Sequence, residues 1–440
     1  MSEALAHLGS GALAPCAQAL AAASPAWLAD ARRAAWDRFE RMPLPSRVEH
    51  LWRYTDPARI LPEARALQTS EIHFGDLPGD FHDGIYENAA AYALCRDGAM
   101  LSSTIDPLLA GNGLVVGDLR TAARNYESVV RPNLFALGGD CDGAGAKFDA
   151  LSAALFSGGA FVYVPAGLDL ELPVRIAHRV GGSGLVAARS LFVVGPRAKA
   201  TLVLDLTSSD ETDSPLFHET VEVFVGRGAT LRLVTVQTFS RRTTHAPIVH
   251  ARVEQEARFE TTTLALGGGV TKSLQTSSLV GAGASARVQG IVFADGRRHF
   301  DHHTFQDHVG PHTSSELDYR TVVGDRARSA FTGRLRITRE GVGADAKQRN
   351  HNMLLSEHAR ADTIPELEIL NHDVKCSHAA AVGPIDAEQL YFCTSRGLSP
   401  AEARRTVVLG FLEPAVAGIP GESLQKRVRD ALDARLGESK

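Results

Sequence analysis

A thiol and an imidazole lie two residues apart in the segment 371–378, whose sequence is NHDVKCSH. Thiolate sulfur and imidazole nitrogen are both ligands for iron and zinc. In an extended chain, residues two apart lie on one face, so Cys376 and His378 could contact the same metal. Lys375 is expected to favour the thiolate form of Cys376. A purely structural role for the pair remains the alternative.

Histidines are concentrated in the same part of the chain, with nine of the 17 between His299 and His378. The group from His299 to His312 lacks the ligand spacing of a tetrahedral zinc site, so packing on strands and turns is the favoured interpretation. A mononuclear metal hydrolase is the alternative, and its ligands would be His302, His308 and His312. A further cysteine, Cys393, is expected to lie buried and inert on a helix.

The common enzyme motifs are missing. The segment 267–273 (GGGVTKS) resembles a phosphate-binding loop, but Thr271 stands where glycine must precede the lysine. The chain is therefore expected to bind no nucleotide and to be no enzyme. A β-helix hydrolase or lyase acting on carbohydrate remains the enzymatic alternative, although no paired carboxylates stand out and aromatic residues make up only 6% of the chain.

Composition limits the class of protein. The chain has 440 residues, 44% of them hydrophobic and 22% charged, as in globular proteins of two or three domains. A formal charge of −5 argues against nucleic-acid binding, and no apolar run is long enough to cross a membrane. The start of the chain has no basic leader, and five scattered cysteines make no disulfide framework. A cytoplasmic protein with unpaired thiols is expected.

A repeat indicates which structure positions these residues. A small residue followed by alternating apolar and polar residues recurs at positions 198, 229, 257, 284 and 313, in steps of 31, 28, 27 and 29. Such a period, with one strand pattern per step, is typical of a solenoid. Ala327 and Ala359 repeat the pattern at intermediate steps. We therefore predict a flattened β-helix with two opposed faces and alanine at its inner corners.

Helices are predicted on both sides of this solenoid. One covers residues 24–42 with Ser24 as its cap, and a short one follows within 47–61. After residue 384, helices begin at Asp386 and Ser399, and Pro414 is expected to end the second. The predicted regions are 1–140, helical and mixed; 141–383, β-helix; and 384–440, a helical unit that caps the solenoid or serves as a docking surface.

Several motifs resemble the SufB/SufD family of iron–sulfur cluster assembly proteins, and within it the SufD type. The strongest are residues 364–369 (IPELEI), 373–378 (DVKCSH), 382–383 (VG), 386–390 (DAEQL) and 395–397 (SRG). Weaker matches are 52–55 (WRYT), 161–165 (FVYVP) and 350–355 (NHNMLL). The resemblance implies a right-handed parallel β-helix between helical regions, in agreement with the repeat.

The resemblance also implies partners and cargo. SufD pairs with SufB through the β-helices, and each C-terminal helical domain docks one copy of the ATPase SufC. The complex builds a nascent iron–sulfur cluster with sulfur from a cysteine desulfurase, so iron or a cluster would be held transiently and shared with SufB. Whether a reduced flavin binds the complex, and whether the chain forms homodimers without SufB, stays open.

The resemblance assigns roles residue by residue. His378 matches the SufD histidine at the SufB interface, and Cys376 belongs to the same motif. His351 stands where SufB has its sulfur-accepting cysteine, and this difference favours the SufD type. Cys393, by contrast, is the residue that SufB-like chains have at its position, so a second role for a thiol stays open. The residues expected to bind partners are Arg396, Leu398, Glu402 and Phe411.

Overall fold

The structure is a computed structural model, and it describes residues 13–61, 66–68, 88–138, 145–208 and 212–438. The cysteines within these ranges are Cys16, Cys95, Cys376 and Cys393, and no disulfide joins any two of the four. The predictions for Cys141 and for the first 12 residues lie outside the described ranges.

The described part of the chain contains 19 strands, which form two long sheets. They are β1 (Ala91–Arg96), β2 (Ala99–Ile105), β3 (Val115–Asp118), β4 (Ala160–Val164), β5 (Val174–Val180), β6 (Leu185–Val194), β7 (Lys199–Ser208), β8 (Leu216–Val225), β9 (Thr230–Gln237), β10 (Thr244–Val253), β11 (Arg258–Ala265), β12 (Val270–Leu279), β13 (Ser285–Ala294), β14 (His299–His308), β15 (Ser314–Val323), β16 (Arg328–Ile337), β17 (Ala344–Leu354), β18 (Arg360–Ile369) and β19 (Val374–Pro384). From β4 onward, successive strands alternate between the sheets.

Each sheet is built by parallel pairing of every second strand. One sheet has the order β19-β17-β15-β13-β11-β9-β7-β5-β1-β2, and the other has β18-β16-β14-β12-β10-β8-β6-β4-β3. Only β1–β2 and β3–β4 are antiparallel among these described pairs. Because each coil pairs with the coil before it, the chain forms the predicted parallel β-solenoid.

Small residues close the coils, as the repeat predicted. Ala198, Ala229, Ala284 and Ala327 have no exposed surface. The backbone amide of Ala229 donates to the carbonyl of Gly226 at 2.9 Å, so the alanine follows a tight turn. Such a corner leaves no room for a larger side chain, which explains why the repeat begins on a small residue.

Helices flank the solenoid on both faces. They are α1 (Ala14–Ala22), α2 (Ala26–Arg41), α3 (Pro107–Gly111), α4 (Leu119–Asn125), α5 (Glu127–Val130), α6 (Ala146–Leu155), α7 (Ala387–Ser395), α8 (Pro400–Val416) and α9 (Glu422–Glu438), with short 3-10 turns at His50–Trp52 and Pro57–Ile60. None of the described helices is both long and apolar enough to span a membrane.

Three details of the predicted helices are wrong. The Ser24 hydroxyl donates to the carbonyl of Leu20, and Pro25 instead precedes the first turn of α2. The segment 47–61 forms the two 3-10 turns and no α-helix. Pro414 lies inside α8, which continues to Val416 because its last turns pack against the solenoid.

The helices cover the sides of the solenoid and leave its last strands exposed. Residues of α1, α2 and α6 pack on the outer face of the nine-stranded sheet, against Leu216, Leu274 and Phe305. Residues of α8 and α9 pack on the outer face of the ten-stranded sheet, against Ile291 and Val322. The C-terminal helical unit is therefore a side layer on the solenoid, and it does not close the end.

A buried ion pair joins the N-terminal segment to the solenoid. The Lys272 ammonium donates to the Asp301 carboxylate at 2.8 Å and to the carbonyl of Leu51 at 2.5 Å, and the Thr55 hydroxyl donates to the same carboxylate at 2.5 Å. Burial would raise the pKa of Asp301, but Lys272 holds it well below its usual range, so the carboxylate is ionised. Removal of either Lys272 or Asp301 would leave the other charge buried without a counter-charge.

We expect Asp301→Asn to lower the free energy of unfolding by about 3 kcal/mol, because Lys272 would lose its buried counter-charge. Urea denaturation followed by circular dichroism measures this. The control is Asp169→Asn, which breaks the exposed Lys199–Asp169 pair of the same 2.8 Å length and should cost less than about 0.5 kcal/mol. Equal costs for the two variants would contradict the interpretation.

Candidate functional site at the open end

The two last strands leave the solenoid unfinished. β18 and β19 are the terminal strands of their sheets, so each has one edge without a neighbour in the described chain. We call the inward-facing side chains of these two strands the open end, because no further coil covers them. It exposes three apolar side chains, Leu367, Ile369 and Val382, to about 40% each. Exposed strand edges with apolar side chains favour pairing with another chain.

Cys376 and His378 lie within this open end. In the parallel register, Cys376 is opposite Ala346 and His378 is opposite Gln348. Ala346 and Gln348 are buried in the interior of the solenoid, and paired residues of parallel strands face the same way. Both candidate ligands therefore point along the interior at its end, on one face as predicted.

The layer beneath them is polar and enclosed. Gln348 crosses the interior from β17 and donates its amide hydrogen to the carbonyl of Gly333 at 3.1 Å. A Cβ atom at Gly333 would lie 2.3 Å from the Gln348 amide nitrogen, so only glycine leaves room for this side chain. Gln348 was not recognised in the sequence, where nothing distinguishes it from the other polar residues of its strand.

The expected effect of Lys375 on the thiol is wrong. Burial raises the pKa of the Cys376 thiol, and the negative charge of Asp345 on the neighbouring strand raises it further. Lys375 is the preceding residue of the strand, so its side chain points to the opposite face. Cys376 is therefore a protonated thiol near neutral pH, and metal binding must displace its proton.

The two secondary candidates lie on the other side of the same sheet. His351 is opposite Ala381 and faces outward, towards the C-terminal helices. There it lines a cleft of about 1230 Å³ together with Cys393, Met353 and Phe411. We call this space the helical cleft. The structure thus brings His351 near Cys393 and separates both from Cys376 and His378.

The prediction that Cys393 is buried is wrong, because α7 has no buried residue. The helix instead exposes two large aromatic side chains, Tyr391 to 75% and Phe392 to 60%. The Arg396 guanidinium lies 4.9 Å from the centre of the Phe392 ring. Together these side chains form a surface of the kind that binds proteins.

The other predicted partner-binding residues have mixed environments. Glu402 is exposed and forms a capping box with Ser399 at the start of α8, so its contacts are structural. Leu398 is half-buried. Phe411 lines the helical cleft, and its carbonyl accepts a hydrogen bond from Arg320 at 2.7 Å. Of the four, Arg396 lies most directly on the exposed aromatic surface.

The histidines proposed for a hydrolase are not brought together. His302 and His308 both face the interior on β14, but six residues of strand separate them by about 20 Å. His308 is held by the hydroxyls of Thr313 and Ser315, each at 2.8 Å, and His312 lies exposed on the following turn. Burial lowers the pKa of His302 and of His308 to about 4, as expected for neutral packed side chains.

In the described ranges, no three side chains among His, Cys, Asp and Glu are grouped so that they could hold a metal ion. The open end therefore offers two donors from this chain, the sulfur of Cys376 and an imidazole nitrogen of His378. Iron–sulfur sites commonly take four protein ligands. A complete site at the open end would need further donors from another chain.

The chain matches one family of assembly proteins over most of its length. Residues 177–411 match the family described as "SUF system FeS cluster assembly, SufBD core domain", and residues 14–176 match "SufBD protein N-terminal region". These matches cover most of the chain. The chain belongs to the SufBD family of the SUF system for iron–sulfur cluster assembly.

This chain is similar both to proteins named SufB and to proteins named SufD. The iron–sulfur cluster assembly protein SufD of Bacillus subtilis is 29% identical, with 94% of each chain covered. SufB of the same organism is 25% identical over 94% of this chain and 91% of its own. An iron–sulfur cluster assembly SufBD family protein of Staphylococcus epidermidis is also 25% identical, with the same coverage. These similarities do not separate the SufB type from the SufD type.

We expect the alkylation of Cys376 by iodoacetamide to be slow at neutral pH and to accelerate as the pH rises, because only the thiolate reacts. Asp345→Asn should speed alkylation at pH 8 by about two- to threefold, since a surface carboxylate shifts a pKa by a fraction of a unit. Peptide mass spectrometry measures Cys376 separately from the other cysteines. Lys375→Ala is the control and should leave the rate unchanged. Slower alkylation in Lys375→Ala, with no effect of Asp345→Asn, would contradict the assignment.

Proposed function

We propose that this chain is a SufD-type scaffold subunit of a cytoplasmic SUF complex, and that it catalyses no reaction itself. It pairs with a SufB-like paralogue through the open end and supplies His378, and with it Cys376, to iron or a nascent cluster. The observation that carries the proposal is the position of both donors at the unfinished end of the solenoid. There a partner's strands would both extend the sheets and complete the ligand set.

The SufD type is supported by the residue at position 351. The resemblance places the sulfur-accepting cysteine of SufB there, and this chain has His351 instead. Cys393 lies in the same helical cleft, so a thiol does stand near this position. We assign sulfur acceptance to the partner and a secondary role to Cys393.

End-to-end pairing is supported by the chemistry of the open end. Leu367 and Val382 lie on opposite sheets with about 40% of each side chain exposed, and the strands that carry them have unpaired backbone edges. A second solenoid placed on this end would bury the apolar side chains and satisfy the backbone groups. The same surfaces would serve a homodimer when the paralogue is absent.

We expect His378→Ala to lower cluster formation about tenfold in the complex reconstituted anaerobically with SufB-like and SufC-like partners, because a direct ligand is lost. Cluster formation is measured by visible absorption and by iron and sulfide content. Size-exclusion chromatography should show the complex intact. The control is Ser377→Ala, which changes the adjacent residue on the outer face.

Two results would overturn this assignment. Full cluster yield in both His378→Ala and Cys376→Ser would show that the chain contributes surfaces without ligands. Heterodimer formation unaffected by Leu367→Asp would show that the open end is not the interface. In our proposal Leu367→Asp prevents pairing, because it would bury an unpaired charge.

The exposed aromatic surface of α7 supports docking of the ATPase partner. Tyr391 and Phe392 are mostly exposed, and Arg396 stacks on Phe392. Large aromatic and arginine side chains dominate the energy of protein interfaces. The nucleotide chemistry of the complex would then belong to the partner, while the helical unit transmits its movements to the solenoid through α8.

We expect Tyr391→Ala/Phe392→Ala to weaken SufC binding at least tenfold, since two interface anchors would be removed. Isothermal titration of the purified ATPase into the full chain measures this. Tyr126→Ala, which truncates an exposed aromatic residue on the N-terminal side, is the control and should bind normally. Normal binding by the double variant would place the ATPase elsewhere.

A further inference from the structure

A second cleft, of about 840 Å³, lies between the N-terminal segment and the nine-stranded sheet. Eight arginines line it, with two aspartates, Asp56 and Asp362. This is a strong local excess of positive charge on a chain whose formal net charge is −5. We call it the arginine cleft. It faces away from the interior of the solenoid and lies apart from Cys376 and His378.

The repeat itself stacks arginines along one wall. Arg328 on β16 is directly opposite Arg360 on β18, in register, and His299 on β14 is opposite Arg328. Neighbouring strands lie about 4.8 Å apart, so the two arginine side chains leave adjacent strands on the same face. Like charges in directly opposed positions destabilise a sheet. The turns preceding these strands add Arg297 and Arg326.

The opposite wall is held in a fixed position. Thr55 is buried, and its hydroxyl contacts His299 Nε2 at 2.9 Å and donates to Asp301. The His50 imidazole lies 3.2 Å from Glu366 on β18. These contacts fix the segment that carries Arg53 and Arg59 over the sheet. The arginines of both walls therefore converge without needing the segment to rearrange.

Carboxylates of the described chain form ion pairs with two of these eight arginines: Asp295 pairs with the buried Arg298, and Asp362 pairs with Arg360. Asp362 accepts two hydrogen bonds from Arg360, at 2.8 and 2.9 Å. Arg59, Arg326 and Arg328 form no ion pair with a described residue. The positive charge of these arginines acts on His299, which lines the same cleft. Burial lowers the pKa of His299 and Asp301 raises it, while Arg59 and Arg328 lower it further.

We propose that the arginine cleft binds a diphosphate-bearing anion. Guanidinium groups bind phosphate oxygens in bidentate fashion, and several arginines that converge from two walls match a ligand with two adjacent phosphate groups. Bound anion would also relieve the repulsion between Arg328 and Arg360. A volume of about 840 Å³ exceeds what inorganic diphosphate needs and lies within the range of small-molecule sites.

The diphosphate could be free or part of a nucleotide, and one residue distinguishes the two sources. Tyr54 is half-buried in the wall of the cleft, where its ring could stack on a base. A nucleoside diphosphate should then bind more tightly than inorganic pyrophosphate, and Tyr54→Ala should remove that difference. Equal affinities would identify the free diphosphate as the ligand.

Isothermal titration of the purified full chain with inorganic pyrophosphate, and separately with ADP, tests the proposal. We expect one saturable site whose affinity falls as salt increases, because the interaction is ionic. Arg326→Gln/Arg328→Gln should weaken binding about tenfold or more. Arg336→Gln is the matched control, because Arg336 lies on the same strand as Arg328, pairs with Glu368 and stands outside the cleft.

Failure to fold is not expected of the double variant, since it removes like charges, and its unfolding temperature without ligand should not fall. Pyrophosphate should raise the unfolding temperature of the wild type and of Arg336→Gln, and leave that of the double variant unchanged.

Three results would overturn the proposal: no saturable binding of either ligand, equal loss of binding in Arg336→Gln, or preferential binding of a polyglutamate peptide, which would identify an acidic protein segment as the occupant.

Discussion

The structure depends on one requirement, that each strand of the coils, from β5 onward, find a parallel neighbour one coil away on both of its edges. Coils of about 30 residues meet it by returning each strand to the same register, as when Ser314 pairs with Asp345. The requirement cannot be met at the last coil, because β18 and β19 have no coil beyond them. The solenoid therefore ends in strand edges that favour pairing with another chain, and the two candidate ligands, Cys376 and His378, lie there.

The same register sorts the chemistry of the chain into separate places. Side chains that alternate along one strand go to different environments, so Cys376 and His378 face the interior while His351, on the neighbouring strand, faces the C-terminal helices. On the other sheet, alternation sends His302 inward and Asp301 outward, where it holds the N-terminal segment through Lys272 and Thr55. One architecture thus creates an open end, a helical cleft and an arginine cleft that do not overlap.

Polar residues inside and around the solenoid act mainly as positioning groups. Arg189 is fully buried between Glu222 and Asp149, at 2.8 and 3.0 Å, and so ties α6 to the sheet beneath it. Two of the three histidines that suggested a hydrolase serve the same purpose: His302 is packed in the interior, and His308 is hydrogen-bonded to Thr313 and Ser315 beyond its own strand. Neutral imidazole suits this use, because it fills a narrow interior and still exchanges hydrogen bonds with hydroxyl groups.

The sequence by itself determined the solenoid, because the repeat period and the alternation of apolar and polar residues can be read along the chain without the fold. It also located the pair Cys376 and His378. It also determined the capped start of α8, where Ser399 and Glu402 lie three residues apart. Only the tertiary structure decided that Pro414 would remain inside a helix, that Cys393 would be half-buried beside a cleft, and that Arg59 and Arg328 would both line a second cleft. Those outcomes depend on contacts between residues far apart in the chain, and packing energy there outweighs local preference.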